Sequence, residues 1–115
     1  FKKLALTGTR WLTDSDVYPE ALGKRGLDCV KPTVAERDEI MRVIMDDLVY
    51  GRFTEAGVAT FQRIIGRLKE EEGCDAVILG CTEIPLIMHD GNSPLPTLDS
   101  TRLLARAALK RAVAG

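Results

Sequence analysis

The sequence predicts an α/β domain, a parallel sheet of three or four strands flanked by helices, on three observations. Two short apolar runs, Leu4-Ala5-Leu6-Thr7 and Ala76-Val77-Ile78-Leu79-Gly80, lack the alternation of a half-exposed strand and fit strands covered on both faces. The long segment between them carries apolar residues at helical spacing, with cap-type residues ahead and glycines behind. Strand and helix patterns alternate along the chain, the order that builds βαβ units.

Each element has its own signal. The first strand closes at Gly8-Thr9, a glycine turn. Asp14, Ser15 and Asp16 supply caps for a helix starting near Asp16, with Pro19 in its first turn, where no intrahelical bond is lost, and an end near Gly23 or Gly26. Residues 27–30 read as a second strand, stopped by Lys31-Pro32. Thr33-Val34-Ala35-Glu36 has capping-box spacing, and Ile40, Ile44 and Leu48, with Val43 beside them, form the stripe of the helix that follows and stops at Gly51. Phe53 and Val58 bracket a cap at Thr54 as a hydrophobic staple. From Val58 the stripe runs through Phe61, Ile65 and Leu68 until Gly73 ends it. After the third strand at Ala76, residues 83–88 read as a short helix, 89–94 as a loop and 95–98 as a last strand. Ser100 caps a final helix through Ala114.

Composition narrows the function. The 115 residues are 45% hydrophobic and 29% charged, an ordinary globular balance, and are expected to form a single domain over 1–115. Sixteen basic against seventeen acidic residues give a formal charge of -1, with no like-charge run longer than Glu70-Glu71-Glu72. A nucleic-acid footprint and a polybasic membrane patch are therefore excluded, and a small-molecule partner is expected. The longest apolar stretch is too short to span a bilayer. Three cysteines without CxxC spacing fit a reducing compartment, so the expected location is the cytoplasm. The chain opens Phe1-Lys2-Lys3-Leu4 without a methionine and is expected to be a segment of something longer.

Ligands of open parallel sheets bind beyond the carboxyl ends of the strands. Two loops answer that description, Gly8-Thr9-Arg10 and Gly80-Cys81-Thr82-Glu83. Cys81 stands at a strand-to-helix turn, where backbone N–H groups and a helix dipole would favour thiolate, which makes it a candidate base or nucleophile. Cys29, in a strand, and Cys74, beside an acidic helix end, read as packing residues. A phosphatase loop would need arginine six residues after the nucleophile, where Ile87 stands. The only histidine, His89, lies in a polar loop, and Cys81 with Glu83 is too small a set for a metal. A lone thiol beside hydroxyl and backbone donors suits proton transfer on a bound carboxylate. Thr9, Thr82 and the amides around Cys81 are candidate donors to the developing anion, and Arg10 or Arg52 candidate partners of a carboxylate.

The motif Gly80-Cys81-Thr82-Glu83-Ile84, with the strand before it, resembles the second cysteine motif of the cofactor-independent aspartate/glutamate racemases. Gly8-Thr9-Arg10 with Asp16 and Tyr18, Gly51-Arg52-Phe53-Thr54 and Leu98-Asp99-Ser100-Thr101 are similar to other elements of that family, so the likeness runs the length of the chain. The resemblance implies racemisation of aspartate or glutamate by two cysteine bases, without a cofactor or a metal. Cys81 would be the second base, and Gly8, Thr9, Arg10, Thr82 and Glu83 would contact substrate. It also implies that the chain is the C-terminal half of a pseudo-symmetric two-domain protein, with the first cysteine in a missing N-terminal half. The last helix, around 99–115, would pack on that half through Leu103, Ala107 and Ala108, leaving an isolated fragment inactive and prone to homo-oligomerise. Two positions depart from the family: Leu12 replaces a threonine and Leu104 a histidine. A leucine cannot bond a substrate carboxylate. The alternatives are a single-cysteine decarboxylase or cis-trans isomerase of a small dicarboxylate, or a silent domain that binds an acidic metabolite.

Overall fold

The apolar runs become strands β1 (Lys3–Thr7), β2 (Asp28–Val30), β3 (Ala76–Leu79) and β4 (Thr97–Asp99). This structure, a computed structural model, describes residues 2–81 and 83–99. The candidate donor Thr82, Ser100 and the expected final helix through Ala114 lie outside the described residues. All four strands pair in parallel in the order β2-β1-β3-β4, with Leu4 opposite Cys29, Ala5 opposite Val77 and Val77 opposite Thr97.

The connections explain this order. From β1 the chain passes through α1 (Arg10–Thr13) and α2 (Val17–Gly23) to β2 on one side. From β2 it runs through α3 (Val34–Asp46), a 3₁₀ turn at Leu48–Tyr50 and α4 (Glu55–Glu72), crosses β1 and lands on the other side as β3. Crossovers of one hand then put the two sets of helices on opposite faces. Ala5, Val77 and Leu79 face Ile40, Ile44, Phe61, Ile64, Ile65 and Leu68, whereas Leu4, Leu6, Ala76 and Ile78 face Tyr18, Leu22 and Leu27. Every residue of β3 is buried, which is why its sequence does not alternate. Phe61, Ile64, Ile65 and Leu68 are fully buried, each stabilising the fold by about 1.5–3 kcal/mol.

Local signals set the helix ends. Thr33 Oγ1 accepts the N–H of Glu36, and the Glu36 carboxylate accepts the N–H of Thr33, closing the capping box. Thr54 Oγ1 caps α4 through the N–H of Gly57, and Gly73 ends it in a left-handed conformation. Phe53, half of the expected staple, is exposed and lines an open groove with Val58 and Leu86. The sequence reading did not include α1. Thr9 caps it, and it is only four residues long, too short for any periodicity. The short helix expected over 83–88 is a single 3₁₀ turn, Ile84–Leu86, with Pro85 near its start, and β4 begins two residues later than expected.

Two ion pairs tie α3 to α4: exposed Arg63 reaches Glu39 at 2.8 Å, and the more buried pair is Arg67 with Glu36. Arg67 reaches the Glu36 carboxylate with Nε at 2.5 Å and Nη2 at 2.6 Å, while Glu36 remains in its capping box. Burial alone would push the Glu36 carboxyl up; the Arg67 guanidinium and the Thr33 N–H outweigh it and hold the group below the usual carboxylate range.

Candidate functional site

The winding of the sheet reverses between β1 and β3, and in open parallel sheets the crevice beyond the carboxyl ends at such a reversal receives ligands. Both loops singled out in the sequence start there. Gly80 N–H donates to Thr7 O at 2.8 Å, so the two strand ends stay in step until the chains part. Gly8 has φ +156°, and a Cβ on it would stand 2.9 Å from Leu12 Cδ2. At Gly80 the space is tighter: a Cβ would fall 2.2 Å from Leu12 Cδ2 and 2.5 Å from Thr7 O. Leu12, on α1, thus fills the notch between the two glycine turns. Gly80→Ala is expected to destabilise the protein by about 3 kcal/mol, the top of the overpacking range, because Thr7 O is backbone and cannot step aside. In urea unfolding, Leu12→Ala should relieve only part of that loss, and an unchanged midpoint in Gly80→Ala would contradict the packing of this notch.

Cys81 follows at once. Its thiol is half-buried at the border of the larger core and donates from Sγ to Glu83 Oε2 at 2.7 Å. Burial pushes the thiol up from its ordinary value, and the adjacent Glu83 carboxylate pushes it further, against a smaller opposing effect of the Glu83 and Ile84 N–H groups. This corrects the expectation of a thiol shifted toward thiolate. The physical reason is that one 3₁₀ turn replaces the helix whose dipole would have helped, and a carboxylate occupies the space beside the sulfur. Cys29 and Cys74 are raised too, chiefly by burial.

The other candidates divide. Thr9 caps α1, its hydroxyl oxygen accepting the Leu12 N–H at 3.4 Å. Arg10 turns to its own helix and to α3: its guanidinium pairs with Asp14 and Asp38, while Arg37 bonds Asp14 at 2.8 Å. The carboxylates raise Arg10 above its ordinary value. The pair with Asp14 depends on α1, which the sequence did not reveal, and the pair with Asp38 on the packing of a second helix. Arg52 lies over the Tyr50 ring at 5.7 Å from its centre. His89 is exposed, its Nδ1 accepting the Gly91 N–H at 3.1 Å. A cleft of about 230 Å³ opens between the carboxyl ends of β3 and β4, lined by Leu79, Pro85, His89, Asp90 and Asp99 among others. Among the described residues no cluster of three His, Cys, Asp or Glu side chains could hold a metal, and no helix is long and apolar enough to cross a membrane.

Comparison with known proteins gives this crevice its context. The profile of the Asp/Glu/hydantoin racemase family matches residues 1–108. The chain belongs to that family. Among solved structures, this racemase-family chain superposes with a TM-score of 0.85 and 32% identity on an aspartate racemase homologue from Pyrococcus horikoshii, covering 97% of this chain and 49% of that one. A candidate Asp/Glu racemase from Yersinia pestis gives 0.83 and 31%, over 97% and 49%. An aspartate racemase from Picrophilus torridus gives 0.74 and 29%, over 97% and 46%. The chain thus spans about half the length of these racemase structures. It is also 24% identical over 113 residues to the uncharacterized protein of the pnlA 3′ region of Pectobacterium carotovorum subsp. carotovorum, covering 94% of this chain and 71% of that protein.

Proposed function

We propose that this chain carries one of the two proton-transfer groups of an amino-acid racemase acting on aspartate or glutamate, and that Cys81 is that group. The observation that carries the reading is the place of Cys81 at the winding reversal, one residue beyond the Gly80 turn that adjoins the Gly8 turn of β1. A substrate held beyond these strand ends presents one face of its α-carbon to the thiol. Inversion needs a second base on the opposite face, supplied by a further α/β half that packs against this one across the crevice. Half-length coverage of the racemase structures fits that arrangement.

The chemistry is proton transfer alone. The second base takes the α-proton, the electron pair stays on the carbanion, and the Cys81 S–H returns a proton to the other face; reversal exchanges the roles. The developing charge needs donors. Backbone N–H groups of the Gly8-Thr9 and Cys81 turns, with the Thr9 and Thr82 hydroxyls, would supply them, each donor contributing about 2.7–4 kcal/mol. Arg10 stays in its carboxylate pairs in this reading. No pyridoxal phosphate or metal takes part, and the protein acts in the cytoplasm as an oligomer.

Incubation in deuterated water tests the reading. A protein joining this chain to its first half is expected to exchange the α-proton of aspartate or glutamate for deuterium with no added cofactor, while the 115 residues alone do not racemise either. Absence of exchange in the joined protein, or decarboxylation of a malonate in its place, would sink it.

A further inference from the structure

We infer that Glu83 is a positioning residue for Cys81: its carboxylate holds the thiol proton, so that Cys81 enters the reaction as the proton donor on its face of the substrate. The inference rests on the two-base reading above and deepens it by assigning the resting proton to one of the two bases.

The geometry is local. Cys81 leaves β3 in a bend, Glu83 stands just before the 3₁₀ turn Ile84–Leu86, and the chain folds back tightly enough for Ile84 N–H to bond Cys81 O at 3.2 Å. The turn brings Glu83 Oε2 to 2.7 Å from Sγ, so the thiol hydrogen points into a carboxylate. A carboxylate that accepts this hydrogen favours the neutral sulfur twice, by the bond and by repelling thiolate charge. Among the described residues, Glu83 is the titratable group whose charge acts on Cys81. Arg10 on α1 is engaged by Asp14 and Asp38, while His89, Asp90 and Asp99 line the neighbouring cleft toward β4.

A racemase with two thiol bases is active when one is protonated and the other is not. Its rate then rises with pH as the more acidic thiol ionises and falls as the less acidic one does, giving a bell. Glu83 makes Cys81 the less acidic member, so Cys81 governs the alkaline limb. In the donating direction the S–H bond breaks, the C–H bond forms at the α-carbon, and the sulfur keeps the electron pair as thiolate beside Glu83. That repulsion favours taking a proton back from the next substrate or from water.

Two measurements on wild type, Glu83→Gln and Glu83→Asp test the inference. The first needs no substrate. Iodoacetamide alkylation of each cysteine is followed by mass spectrometry against pH, with buried Cys74 reporting an intact fold. Wild-type Cys81 should titrate above free cysteine. Glu83→Gln should shift its profile down by about one pH unit and raise the alkylation rate at neutral pH about threefold, the tenfold gain in thiolate being partly offset by its lower nucleophilicity. Glu83→Asp, which keeps the charge, should lie between the two. An unshifted profile in Glu83→Gln, or a wild-type profile at or below free cysteine, overturns the role of Glu83 whatever the substrate. The second measurement is the pH profile of racemisation in the joined protein, where Glu83→Gln should move the alkaline limb to lower pH and leave the acid limb in place. Movement of the acid limb instead would overturn the assignment of Cys81 as donor. A wild type that fails to racemise at all counts against the proposed function, and the alkylation profile still decides what Glu83 does to the thiol.

Discussion

In the protein joined to its first half, Cys81→Ser is expected to lower α-proton exchange on aspartate or glutamate by about 10²–10⁴-fold, the contribution of a well-placed acid–base group. A serine hydroxyl is far too weak an acid to ionise near neutral pH, so the group can neither give nor take a proton at a useful rate. The swap is close to isosteric at a half-buried position, so the urea midpoint should stay near wild type. Loss of exchange with unchanged stability is the expected pair of results. Cys29→Ser, on β2, should keep exchange within a fewfold of wild type. Full activity in Cys81→Ser would remove Cys81 from the chemistry altogether.

Arg67→Ala is expected to cost about 3 kcal/mol at neutral pH in urea unfolding. That is the lower end for breaking a buried ion pair, chosen because Arg67 keeps 27% side-chain exposure against 9% for Glu36. The damage comes from stranding the Glu36 carboxylate, and its pH dependence identifies it. In the wild type the Glu36 carboxyl is held below its unfolded value, so the stability it contributes is present above about pH 4.3 and is lost as pH falls through the folded value. Without Arg67, burial dominates and the folded value rises, so the variant is penalised for holding the charge. The gap between the two proteins should therefore narrow as pH falls below about 4. A gap that is constant with pH would mean that Arg67 acts through packing of its alkyl stem.

What could be read in the sequence was what is decided within a turn or two of chain. The Thr33-Glu36 box, the Thr54 cap and the stop at Gly73 depend on residues a few places apart and are found, whereas α3 stops early at Asp46 and Gly51 ends the 3₁₀ turn Leu48–Tyr50 instead. Membership in the racemase family and the parallel α/β fold were likewise legible, through the Gly80-Cys81 motif and the buried strands. Contacts between distant residues were not. Glu36 meets Arg67 across 31 positions, and Arg10 meets Asp38 across 28, because α3 packs on α4 and α1 packs near α3, and no local pattern encodes either. The order of the strands belongs to the same class. At the site, the motif pointed to Cys81 but misjudged its ionisation. The next element is a single 3₁₀ turn, Ile84–Leu86, and the position of a flexible carboxylate two residues along depends on how that turn closes.

The notch between the two glycine turns also bears on how such a protein can change over generations. Gly80 is pinned by Thr7 O as well as by Leu12, so no prior substitution of a neighbouring side chain makes room for a Cβ there. Leu12 carries no such constraint from the main chain. It can shrink or gain a hydroxyl without meeting the main chain, and each such change reshapes the notch beside Gly8 and Gly80. Change in this notch is thus channelled through position 12, while a side chain at position 80 costs about 3 kcal/mol whatever its neighbours become.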